Sequence, residues 1–169
     1  MKPITANSTA HLSIRIAPVT PFDAFIGAAE ALLTGVQPLV SVLPDTAWPL
    51  TFIAGQIVEC SLKAHLSGRG VPEKELKSAP LRHDLLALWS LAAQRGLVFA
   101  QATPVWLQRL SELHDGPYVI RYPMGANGVV LPQMAMMAAD LPLIVQAVRA
   151  ARSSEHAADF MIGFCEPAT

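Results

Sequence analysis

Apolar positions recur at three- and four-residue spacing through most of the chain, and cap and turn residues cut that pattern into helices. The clearest start is Thr20-Pro21, where a capping hydroxyl precedes a proline suited to the first helical position and Asp23 follows three residues after the cap. A helix is therefore predicted over Pro21 to Thr34, closed by Gly35. Asp45 and Pro49 open a second, central helix that should reach Ser67 and stop at Gly68 and Gly70. Its apolar stripe is Ile53, Ile57, Cys60 and Ala64, and Gln56, Glu59 and Lys63 form a polar stripe beside it. Next come a short helical turn at Pro72 to Lys77 and a helix from His83 to Arg95, closed by Gly96. A further helix is predicted from Pro104 to His114, ended by Asp115 and Gly116. The last helix is expected to start near Asp140 and Pro142 and to run to Arg152.

Three short runs break the helical period. His11 to Val19 alternates Leu12, Ile14 and Ile16 against Ser13, Arg15 and Ala17, as a half-buried strand does. Tyr118 to Tyr122 and Val129 to Leu131 are β-like runs around a turn-rich stretch. The expected fold class is thus mainly α: an antiparallel helical bundle forming one domain over residues 1–169, with a small β patch from the N-terminal strand and the 118–131 segment.

Composition changes this picture in one respect. The chain is 52% hydrophobic and 15% charged, against roughly 25% charged residues in ordinary soluble domains. A monomer with so few charges leaves broad apolar areas in water, so part of the surface is expected to be buried against a second copy. A membrane is the rival sink for this surface, but the apolar stretch Met134 to Val148 is interrupted by Asp140 and Pro142, and no membrane association is expected. Met1 to Ala10 lacks the apolar centre of an export signal, so a cytoplasmic location is expected. The net charge of −1 and the lack of any basic run argue against general nucleic-acid binding. Cys60 and Cys165 sit far apart among apolar neighbours and are expected to be free thiols. No Gly-rich phosphate loop, zinc-ligand spacing or nucleophile elbow is present, so neither a cofactor nor a metal is expected.

One stretch carries more than helical patterning. Between Gly55 and Leu97, Gln56, Glu59, Leu62-Lys63-Ala64 and, after a gap, His83-Asp84-Leu85 with its leucine-rich helix give the order Q-x-x-E-x-x-L-K-A … H-D-L. This order resembles the HEPN family of small helical bundles, as does the Arg121-Tyr122-Pro123 that follows the later helix. The resemblance implies an antiparallel bundle of bacterial type that commonly dimerises. Members of the family act as RNA-cleaving toxins, as partners of nucleotidyltransferases or as non-catalytic binding modules. Its catalytic members carry an arginine and a histidine four to six residues apart, a spacing met here by Arg109 and His114. Eight arginines and five histidines would produce about one such pair by chance.

The ligand-binding candidates are Gln56, Glu59, Lys63, His83, Asp84 and Arg121. Glu59 and Lys63 in favourable helical order read equally as a surface ion pair worth a few tenths of a kcal/mol, and His83-Asp84 as a helix cap. If the helices pack antiparallel, Lys63 comes beside the start of the His83 helix and makes an anion-binding corner. Arg121, between two tyrosines, can grip a carboxylate or phosphate or lie on the surface. Glu59 on this reading matters far less to stability than Ile57. The expected function is a homodimeric, HEPN-like binding or accessory protein without catalysis of its own, holding a nucleotide or other small anionic ligand. The alternatives are a metal-independent ribonuclease toxin using Arg109 and His114, with RNA as its substrate, and a module that pairs with another protein.

Overall fold

A computed structural model describes residues 19–116, 120–121 and 128–162, with side chains placed as far as residue 153. The chain folds as an all-α bundle, and no strand occurs among the described residues. Its elements are α1 (Pro21–Leu33), α2 (Val36–Val40), α3 (Ala47–Gly68), α4 (Glu73–Leu76), α5 (Leu85–Gln94), a 3-10 turn (Val98–Gln101), α6 (Val105–His114) and α7 (Met134–Ile162).

The local signals act as the residue types dictate. Thr20 Oγ1 caps α1 by accepting from the Asp23 N–H at 3.2 Å. Asp84 caps α5 by accepting from the Leu86 and Ala87 N–H groups at 2.9 and 3.0 Å, which starts that helix at Leu85 rather than His83. Gly70 and Gly96 adopt positive φ, the conformation that ends α3 and α5 without a Cβ penalty.

The 22-residue α3 is the axis around which α1, α2, α5, α6 and α7 pack. Leu50, Ala54, Ile57, Val58 and Leu62 are wholly buried along it, while Cys60 and Ile53 are only partly covered. The buried face is therefore broader than the stripe predicted for it. Glu59 and Lys63 belong to that buried face, at 8% and 4% exposure, and so are not the surface pair that the sequence equally allowed.

Two further departures concern where helices form. Val36–Val40, which lies between the first two predicted helices, closes into a helical turn of its own, with Val36 buried and the segment packed on α3. The final helix begins at Met134 and passes through Pro142, eight positions inside it. Met137, Leu141, Ile144, Val145 and Val148 repeat at helical spacing across the proline and are all buried. Their burial outweighs the loss of about one backbone hydrogen bond at Pro142. The Trp106 indole, 1% exposed, donates to Asp140 Oδ2 at 2.7 Å and so fastens α6 to this early part of α7. Arg149 grips both oxygens of Glu30 at 2.7 Å and joins α7 to α1 at the surface.

Met134–Ser153 is the one stretch among the described residues long and apolar enough to cross a membrane. Asp140 and Pro142 do not interrupt it as a helix. The predicted strand at His11 to Val19 lies outside the described residues except for its last position, as does most of Tyr118 to Tyr122, and Val129 to Leu131 forms no strand among the described residues.

Candidate functional site

The buried polar centre is built on the Glu59 carboxylate. Its Oε1 accepts from Lys63 Nζ at 2.7 Å, one turn along α3. Oε2 accepts from His83 Nδ1 at 3.1 Å and from His114 Nε2 at 2.6 Å. An ionised carboxylate only accepts, so both imidazole nitrogens facing it carry hydrogens. Lys63 Nζ also donates to the Arg82 carbonyl at 2.7 Å, which holds the segment before α5 against α3.

Burial alone pushes the Glu59 carboxyl upward. The hydrogen bonds from His114, Lys63 and His83, with the Lys63 charge, outweigh that and hold it down to about 2. Glu59 is thus an anion inside the bundle with each oxygen accepting hydrogen bonds, which offsets the cost of burying its charge. The same environment pushes the neighbouring Cys60 thiol up to about 11, burial first and the Glu59 charge second, so this cysteine is not a nucleophile at neutral pH.

His114 is the least expected member. It is the last residue of α6, a position where fraying is normal, yet it is completely buried. Its ring meets that of His83 edge to face, with centroids 6.0 Å apart. The other ring edge lies against Gly55, and Nδ1 has no hydrogen-bond partner among the described residues. A Cβ at position 55 would overlap Nδ1 and approach Cγ to 3.0 Å. Glycine on α3 therefore makes the space that lets His114 reach Glu59. In an open helix, Gly→Ala stabilises by about 1 kcal/mol. Gly55→Ala is expected to reverse that sign and cost about 1–3 kcal/mol through overpacking, read as a lower urea midpoint.

The cluster borders solvent on one side. A cavity of about 390 Å³ is lined by Phe25, Glu59, Lys63, Lys77, Arg82 and His83. A second, of about 380 Å³, is lined by Ala79, Pro80, Arg82, His83, Asp84 and Asp115, so Arg82 and His83 border both. Lys77 is paired with Glu73. Arg82 is exposed, and its guanidinium makes no hydrogen bond or ion pair among the described residues.

Of the residues singled out from the sequence, Glu59, Lys63 and His83 come together. Asp84 stands next to them but spends its carboxylate on the α5 cap and on Ser111, whose hydroxyl lies 3.4 Å away. Gln56 is half-buried on α3 and lines neither cavity, and the same holds for Arg121, placed past the end of α6, where the Ile120 N–H donates to the Leu113 carbonyl. Arg109 and His114 lie on different faces of α6. The Arg109 side chain is 42% exposed and pairs with Glu112 at 2.6 Å, whereas His114 is spent on Glu59. Sequence reasoning placed His114 only as a partner of Arg109 and missed its bond to a carboxylate 55 residues earlier. Arg82 was not singled out, although it directly precedes the His-Asp-Leu start. No protein-family model, curated protein or solved structure matches the chain.

Proposed function

We propose that this chain is a HEPN-like, homodimeric, cytoplasmic binding or accessory protein that holds one small phosphate-bearing ligand of mononucleotide size. The observation that carries the reading is the cavity beside Glu59, where Arg82 offers an unspent guanidinium next to Lys63, Lys77 and His83. A guanidinium binds phosphate through two parallel hydrogen bonds. The half-buried Phe25 supplies an apolar wall on the other side, and a volume of about 390 Å³ falls in the range of small-molecule sites rather than polymer channels. Self-association is supported by the low charge and by Val98, Val105 and Val130, which are 81, 74 and 67% exposed. The ribonuclease reading gains nothing from Arg109, which is paired on a different face of α6 from His114.

Calorimetric titration with adenosine monophosphate and with inorganic phosphate, both in EDTA, tests the reading. The nucleotide is expected to bind, and Arg82→Ala to weaken it at least tenfold while leaving the circular dichroism unchanged. No binding at millimolar nucleotide, or equal binding by Arg82→Ala, removes it.

A further inference from the structure

The geometry points to a divalent transition-metal site formed by Glu59 Oε2, His83 Nδ1 and His114 Nε2. These three atoms lie within 4.8 Å of one another. They come from three separate elements: the middle of α3, the segment before α5 and the last residue of α6. Metal–nitrogen and metal–oxygen bonds of about 2.0–2.2 Å put neighbouring ligand atoms roughly 3–3.5 Å apart. The observed pairs at 3.1 and 2.6 Å need only a small opening to admit an ion between them.

The remaining contacts suit the role. A ligating carboxylate is normally steadied through its other oxygen, and Lys63 holds Oε1 at 2.7 Å. Each histidine takes up the ion by moving its proton to the opposite ring nitrogen. For His114 that nitrogen is Nδ1, which lies against Gly55 and has no hydrogen-bond partner among the described residues. Two imidazoles and one carboxylate form a donor set for borderline ions such as Zn²⁺, Fe²⁺ or Co²⁺ rather than Mg²⁺ or Ca²⁺. His114 is fully buried, but the His83 side chain is 18% exposed and borders both cavities. The ion therefore has a route in, and at least one coordination position facing the cavities, as ligand-binding metal sites require.

The inference does not depend on phosphate binding, and the two are measured apart: metal alone in phosphate-free buffer, nucleotide alone in EDTA. Protein stripped with EDTA and dialysed is titrated with Co²⁺, followed by visible absorption, and then with Zn²⁺ in competition. One equivalent of Co²⁺ is expected to bind with micromolar or tighter affinity, to develop d–d bands between about 500 and 650 nm, the range of four- and five-coordinate sites, and to be displaced by Zn²⁺. His114→Ala empties a fully buried position and threatens the fold itself, so the more exposed His83→Ala is the deciding variant. It should retain its helical circular dichroism, lose the bands and bind Co²⁺ at least tenfold more weakly. No saturable binding by the unaltered protein below 100 μM metal, or identical spectra and affinity for folded His83→Ala, overturns the assignment.

Discussion

Glu59→Ala is expected to destabilise the bundle by about 3–5 kcal/mol, as much as removing the core side chain of Ile57. Truncation deletes the common acceptor of Lys63, His83 and His114 and leaves the ammonium of Lys63, whose side chain is 5% exposed, without its anion. Breaking a buried ion pair from one side carries a cost of that size because the surviving charge stays desolvated. Ile57→Ala, at a wholly buried position, is expected to cost about 2–5 kcal/mol through lost transfer energy and a cavity. Parallel urea titrations of the two variants compare these losses. A Glu59→Ala protein within about 0.5 kcal/mol of the parent would mean that the cluster is not formed. The same carboxylate fixes an acid limb. Its folded value of about 2 lies below the ordinary 4.5, so its contribution is fully present above pH 4.5 and is lost as pH falls towards 2. In EDTA, the urea midpoint of the parent should fall across that window, and the Glu59→Ala protein should lack this component.

Trp106→Ala is the second large effect, expected at about 3–5 kcal/mol for an aromatic side chain deleted from a closed core. Trp106 is 1% exposed, and its indole is the donor that satisfies Asp140 across the α6–α7 contact. Trp106→Phe separates the two contributions. It keeps most of the ring volume, removes the hydrogen bond and should cost about 1–3 kcal/mol. If the Phe variant is as stable as the parent, the indole–carboxylate bond is not holding α7 in place.

The helices were legible where their signals are local. Thr20-Pro21, the Asp84 cap and the glycines at 70 and 96 act within a few residues of themselves, and the structure places helix ends close to each. The start of α7 was not legible because a proline suits a first turn better than an interior one, and only packing on α3 reveals why the helix already runs at Met134. In the site, Glu59 and Lys63 one turn apart look the same on a surface as in a core. What distinguishes the two is His83, 24 residues later, and His114, 55 residues later. No fixed local spacing joins these residues, which is why neither the buried cluster nor its ligand set could be read as a motif. His114 at the end of a helix, before Asp115-Gly116, carries every local mark of a fraying residue. Gly55, whose missing Cβ gives it room, is on another helix.

That vacancy at Gly55 also acts as a gauge of register. Sliding α6 by one residue turns its side chains through about 100°. Leu113 or Asp115 would then face the gap beside α3, and Oε2 of Glu59 would lose its shortest hydrogen bond. A leucine there strands the carboxylate against hydrocarbon, and an aspartate sets two anions together. An all-leucine seam would accept several neighbouring alignments at similar energy. The polar centre accepts one, so the helix that brings His114 home also fixes the alignment of every other α6 contact, Trp106 with Asp140 among them.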